Sequence, residues 1–149
     1  MTGNDPFRTV VIPTEEPAMY VPEGFGTVFP YMIVDRVEEL LGFLTQVFDA
    51  KEIGRTVANN RIANIQLQIG SSKFMMSEAG QGGMQAMPGT YYVYVEDVDR
   101  TFAKALSFGA TEVFEPADMA YRDRQAGIID PSGNYWWISK RLVEEPYGS

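Results

Sequence analysis

Histidine and cysteine are both absent from this 149-residue chain. Without cysteine there is no disulfide, no thiolate nucleophile and no thiolate metal ligand. Without histidine, the commonest metal ligand and the side chain that titrates nearest neutrality are missing together. Any acid–base or metal chemistry would rest on carboxylates, tyrosines and basic side chains. Positive charge is also scarce, with 12 Lys and Arg against 20 Asp and Glu and a net charge of −8. No Lys/Arg cluster forms the basic face that nucleic acid or an anionic membrane requires, so neither partner is expected. The acidic field favours a cationic ligand, although such acidity also serves plain solubility. No apolar run approaches the roughly 18–20 residues of a transmembrane helix. The N-terminus lacks the basic-then-apolar order of a signal peptide, and a cytoplasmic location is expected.

What the chain does contain is enough apolar sequence, 45% of residues, for one domain with a sizeable core. Residues 1–26 carry Pro6, Pro13, Pro17 and Pro22 with Gly24 and Gly26, a density that excludes a helix and most strand pairing. Within them, Phe7 to Ile12 reads as a short edge strand, and the segment as an arm lying on the domain, reaching a partner subunit, or disordered.

From Val28 onward one pattern occurs twice. The first copy begins with the β-rich run Val28 to Val34. Val37, Leu40, Leu41, Leu44, Val47 and Phe48 then form the apolar stripe of a helix, with Asp35 as its cap. Strands follow at Glu52 to Ala58, Ala63 to Ile69 and Lys73 to Ser77, turning at Asn59-Asn60 and Gly70-Ser71-Ser72. After a Gly-, Gln- and Met-rich linker, 79–89, the order repeats. A strand spans Tyr91 to Glu96, a helix Val98 to Phe108, and strands Thr111 to Phe114, Gln125 to Asp130 and Asn134 to Ser139. Pro116 to Arg124 reads as a polar connection. Each half is βαβββ, and a unit repeated this way buries its apolar face only by sharing a core with its copy. The organisation is an arm (1–26), a domain (27–142) of modules 27–78 and 90–142, and a tail (143–149).

Val95-Glu96-Asp97-Val98-Asp99, Phe108-Gly109-Ala110 and Asp130-Pro131-Ser132-Gly133-Asn134 stand in that order within the repeat. On them the chain resembles the glyoxalase/bleomycin-resistance/extradiol-dioxygenase superfamily, the vicinal oxygen chelate fold. Phe29-Pro30-Tyr31, Gly70, Arg124 and Trp136-Trp137 make it most similar to the PhnB-like branch. The resemblance implies an α+β fold in which two tandem βαβββ modules form a curved mixed sheet around a pocket, with helices on the convex side. It implies a homodimer too, because related folds frame their pockets between chains. The family's enzymes usually hold a divalent metal through four side chains, and the resemblance carries those positions to Phe29, Met76, Thr90 and Trp137. The step from Phe29 to Thr90 equals that from Met76 to Trp137, 61 residues. None of the four supplies a nitrogen or carboxylate, so no metal and no cofactor is expected.

Asn64, Gln66 and Gln68 alternate with Ile65, Leu67 and Ile69, which puts the amides on the face opposite the helix. Asn64 and Gln66 are candidate anchors for a small organic molecule, or else a solvated strand face. The resemblance adds Tyr31, Phe74, Met76, Tyr92 and Trp137 as pocket lining, or alternatively as core, with Glu78 as the nearest carboxylate. Arg122, Asp123 and Arg124 stand near the expected mouth, where Arg124 recognises a ligand anion or forms a surface ion pair. No catalytic residue is assigned. The expected function is metal-independent binding of a small organic molecule, such as sequestration of an antibiotic or other toxic compound. The alternatives are a metal-free isomerase or lyase-like tailoring enzyme using acid–base side chains, and an interaction protein whose pocket is filled by its own aromatics.

Overall fold

The structure is a computed structural model describing residues 20–148. The Phe7–Ile12 strand expectation lies outside the described residues. Eight strands and two helices follow in the order β1 (Tyr31–Val34), α1 (Val37–Phe48), β2 (Lys51–Ala58), β3 (Arg61–Ile69), β4 (Ser72–Glu78), β5 (Thr90–Tyr94), α2 (Val98–Ser107), β6 (Thr111–Asp118), β7 (Asp123–Ile129) and β8 (Tyr135–Arg141), with one 3₁₀ turn, Gln81–Gly83, in the linker. They form two four-stranded mixed sheets, β1-β4-β3-β2 and β5-β8-β7-β6. The first strand of each module runs parallel to its last, and the other pairs are antiparallel.

Local chemistry accounts for most boundaries. Asn59 and Asn60 both adopt positive φ, 54° and 60°, the conformation a two-residue hairpin turn needs and asparagine tolerates. Asp97 caps α2 by accepting from the Arg100 backbone N–H at 3.0 Å. Strand β6 continues through Pro116 into the stretch expected to be a connection, because Pro116 sits at a register irregularity between Phe114 and Ala117 on an edge strand, where no ladder donor is needed.

Helix α1 is capped differently from the expectation. Arg36 takes the left-handed conformation at its N-terminus and offers no side-chain cap. The carboxylate of Glu78, at the end of β4, accepts instead from the backbone N–H of Arg36 at 2.8 Å and of Val37 at 3.1 Å. Two unsatisfied helix donors are thus paired across the module.

The modules meet through the faces that carry the helices. Phe43, outside the expected stripe, is buried along with it, and Phe48 reaches Trp136 of β8 with ring centroids 5.0 Å apart. Buried residues of both modules form one continuous cluster, from Met32 and Leu44 to Ile128 and Ile138. Each sheet's other face is turned away from that core. The described part of the arm lies along the first module, where Lys73 Nζ donates to the Glu23 carbonyl at 3.2 Å and Phe25 packs on Phe29 at 4.8 Å.

If Glu78 is the cap, Glu78→Ala should destabilise the protein by about 1–2 kcal/mol, while Asp35→Ala stays within about 0.5 kcal/mol. Urea unfolding of both variants checks this, and the reverse ranking would return the cap to Asp35.

Candidate functional site

Strand parity decides which side chains reach the open faces, and turn length decides parity. Tyr31 pairs with Met75, and Tyr92 pairs with Trp137. The first residues of these pairs are 61 apart and the second 62 apart, so the β7–β8 hairpin carries one residue more than the β3–β4 hairpin. The residue equivalent to Trp137 is therefore Met75, not Met76. A one-residue displacement exchanges the faces of a strand. Phe74 and Met76, 6% and 0% exposed, accordingly pair with Leu67 and Ile65 and belong to the core, not to a ligand face.

On the helix side one expectation is corrected, that for Glu78, and for Arg124 the structure takes the ion pair of the two readings. Glu78 is occupied at the N-terminus of α1, as described. Arg124, opposite Lys140, grips both carboxylate oxygens of Asp99 on α2 at 2.7 and 2.8 Å and donates to Asp118 at 2.9 Å. The strand's alternation aims it away from the open face, where its guanidinium ties α2 to the sheet.

Tyr31, Asn64 and Gln66 do lie on the open face of the first sheet. The Gln66 amide donates to Asn64 Oδ1, Asn64 Nδ2 contacts Met75 Sδ at 3.5 Å, and the Tyr31 and Ser77 hydroxyls are 2.6 Å apart. A single bond thus joins the two amides, and Tyr31 is 53% exposed. Tyr92 and Trp137 occupy the open face of the second sheet and join a denser cluster. The Trp137 indole stacks with Tyr92 at 6.5 Å and 12°, and meets Tyr135 at 4.9 Å and Phe114 at 5.9 Å. Its Nε1–H donates to Thr90 Oγ1 at 3.0 Å. The sequence-predicted residues that reach an open face thus divide between two sheets.

Beside the aromatic cluster lies a group that the sequence places near the mouth but to which it assigns no role. Asp123 opens β7 with no solvent exposure. Its Oδ2 accepts from the hydroxyls of Tyr92 and of Tyr147, the latter at 2.6 Å, and its Oδ1 accepts from Arg141 Nη1 at 3.1 Å. Arg141 also donates to the carbonyls of Tyr121, Glu145 and Pro146 and lies 4.1 Å from the Tyr147 ring centroid. Next along the strand, Gln125 donates to Ser139 at 2.7 Å and accepts from Tyr121. The signal was present in the alternation. Arg122 leaves to pair with Glu145 at the surface and Arg124 turns to the helix, so only Asp123 of the three enters this face.

Burial alone would raise the Asp123 carboxyl, but the bonds from Tyr147, Tyr92 and Arg141 outweigh it and hold the group below the usual carboxylate range. Burial is also the first cause that raises the phenols of Tyr92, Tyr121, Tyr135 and Tyr147, with the Asp123 carboxylate adding to the shift of Tyr92, Tyr121 and Tyr147. At neutral pH the network therefore contains a fixed carboxylate and neutral phenols. Because the folded-state value lies below that of an unfolded aspartate, near 3.9, its stabilisation is fully present above that pH and is lost as pH falls through the folded value. Asp123→Asn should destabilise the protein by about 2–4 kcal/mol at pH 7 and flatten the loss of stability as the pH falls below about 4. Urea midpoints across that range check it, and an unchanged acid slope would assign the titration to another group.

A cleft of about 800 Å³ opens at the junction of the modules, lined by Ser71 and Ser72 of the first and by Tyr91, Tyr92, Tyr94, Arg100 and Lys104 of the second. Trp137 and Asp123 do not line it, although Tyr92 touches both. The positions that the resemblance assigns to a metal do not fit one. Thr90 and Trp137 are bonded to each other, Phe29 is a ring against the core, and Met75 offers a soft thioether, whereas a hard divalent ion requires oxygens and zinc requires nitrogen, thiolate or carboxylate. Among the described residues no group of three His, Cys, Asp or Glu side chains converges.

Comparison with known proteins agrees with this architecture. An uncharacterized protein of Mycobacterium bovis is 28% identical over 126 residues, covering 77% of this chain and 83% of its own length. The crystal structure of TioX from Micromonospora sp. ML1 superposes with a TM-score of 0.65 at 22% identity, covering 76% of this chain and 96% of that one. A mutant of the fosfomycin resistance protein FosX from Listeria monocytogenes, complexed with Mn(II) and 1S,2S-dihydroxypropylphosphonic acid, superposes with a TM-score of 0.57 at 16% identity, over 76% and 88% of the two chains. At these identities the structural likenesses concern the fold. Residues 25–138 match the glyoxalase/bleomycin resistance protein/dioxygenase superfamily, and the chain belongs to that family.

Proposed function

We propose that this protein binds a small, largely apolar organic molecule without a metal, on the face built around Trp137. The observation that carries this reading is the half-buried Trp137 indole framed by Tyr92, Tyr135 and Phe114 beside a fixed buried carboxylate. Flat apolar lining with few polar anchors is the usual character of small-molecule sites. The titration behaviour favours a binder over the acid–base enzyme. A catalytic acid or base works best with a pKa near the operating pH, yet Asp123 is displaced downward and the tyrosines upward, all away from neutrality. The fosfomycin resistance protein with Mn(II) uses the same fold with a metal. The donor set here supports the metal-free use, and the Phe29-Pro30-Tyr31 and Trp136-Trp137 motifs support the PhnB-like branch.

A homodimer belongs to the same proposal. The open faces carry exposed Tyr31, Tyr92 and Tyr94, and a small-molecule site normally buries most of its ligand. A second copy would supply the missing wall by laying the Tyr31, Asn64 and Gln66 face over Trp137. Light scattering at tens of micromolar should give twice 16.7 kDa, and a monomer would remove the wall.

The ligand reading is checked by a fluorescence screen of a compound library, basic antibiotics included, with and without chelator. Hits should quench Trp137, leave the buried Trp136 nearly unaffected, and survive chelation. Trp137→Ala should weaken them by about 1–3 kcal/mol and Asn64→Ala by less. Hits that bind Trp137→Ala unchanged would make the indole a packing residue.

A further inference from the structure

The way Tyr147 sits on the second open face has the character of a bound molecule. Its side of the contact is half outside the protein, at 49% exposure, while its hydroxyl reaches a carboxylate that has no exposure at all. The ring lies 4.1 Å above the Arg141 guanidinium, and the hydroxyl also meets that of Tyr94 at 2.5 Å. The segment carrying it, residues 142–148, is neither helix nor strand. It is tied down at its start by the Leu142 backbone N–H, which donates to the Arg122 carbonyl at 3.0 Å, and further along by the bonds from Arg141 to the carbonyls of Glu145 and Pro146 and by the exposed Arg122–Glu145 ion pair. Exposed ion pairs contribute little. Tyr92 belongs both to this contact and to the Trp137 stack, so the two places form one continuous surface.

We infer that Asp123, Tyr94 and Arg141 form a subsite for a neutral phenolic group, and that Tyr147 of the chain's own 142–148 segment occupies it until a ligand displaces it. The inference rests on the proposed binding face for its neighbour, but its chemistry is read from the contacts of Tyr147. With Tyr147 withdrawn, Asp123 Oδ2 keeps the Tyr92 hydroxyl and gains a vacant acceptor site, beside the freed Tyr94 hydroxyl. The guanidinium plane offers a flat cation to an electron-rich ring. A hydroxyaryl group satisfies all three partners. A protonated amine meets the carboxylate but also the fixed charge of Arg141, and a ligand carboxylate is repelled by Asp123. The preference is therefore narrower than the acidic composition of the chain implies.

The test uses the full chain as wild type, Tyr147→Ala and Tyr147→Phe, titrated by NMR with p-cresol, with 4-methylanisole, which keeps the ring but has no donor, and with 4-methylbenzylamine, which carries a cation. Tyr147→Ala should bind p-cresol at least tenfold more tightly than wild type. Tyr147→Phe, whose ring still covers Arg141, should show a smaller gain, and neither variant should gain for the other two probes. Equal p-cresol affinity in wild type and folded Tyr147→Ala overturns the inference. So does an equal gain for 4-methylanisole, which would indicate only uncovered apolar surface. Should Tyr147→Ala fail to fold, Tyr147→Phe decides, and no gain there overturns it. A p-cresol gain that persists when Trp137→Ala is added, alongside a failed fluorescence screen, leaves the subsite standing and removes the larger reading. Screen hits with no response of p-cresol to Tyr147 do the opposite.

Discussion

The contact between Phe48 and Trp136 joins the two halves, and the orientation of everything else follows from it. A four-stranded sheet with one helix leaves apolar surface at the helix margin, and α1 shows this directly in the burial of Phe43 beyond its main stripe. Packing Phe48 on Trp136 covers both margins at once and merges the modules into a single core. Because the helical faces are used inward, the opposite faces are presented outward. The tyrosines on them are exposed for that reason, not through any local failure of packing.

On the second of those faces the balance of burial against pairing sets the chemistry. Removing Asp123 from water would by itself favour its neutral form, but three donors converge on it and reverse the outcome. Burial raises the phenols that serve it, and the same carboxylate adds to that shift. Each group makes its partner's protonation state more secure. Such a network fixes donors and acceptors in place over the physiological range, which suits recognition by shape and hydrogen bonding.

Much of this was legible in the sequence because it depends on periodicity. The α1 stripe, the alternation of Asn64 and Gln66 with Ile65 and Leu67, the twofold βαβββ order and the outward Trp137 all follow from periods of 3.6 and 2. The errors come from features that periodicity does not contain. Of the two readings the sequence leaves for Met76 and Phe74, lining or core, the structure takes the core, because one added residue in the second hairpin shifts the repeat from 61 to 62, and a self-comparison places a gap only approximately. The sequence offers Glu78 only as the carboxylate nearest the pocket, because its service to the Arg36 and Val37 amides is a tertiary contact between elements more than forty residues apart. Asp123 was hidden between two arginines, and only the start of β7 at that residue separates the three.

The divergence of the two modules explains why the second carries the richer face. The registers make Gln66, opposite Met75, equivalent to Gly127, opposite Trp137. In the first module the Gln66 side chain lies across the sheet toward Gly54 and donates to Asn64, filling the surface with amides. In the second, a β-carbon on Gly127 would meet Phe114 at 2.5 Å and the Tyr135 hydroxyl at 2.8 Å, closer than real contacts allow. The missing side chain lets those two rings close in and frame Trp137. The same backbone therefore yields an amide surface where glutamine stands and an aromatic seat where glycine stands. A ligand held between two copies of the chain would meet both surfaces, with amides on one side and rings on the other.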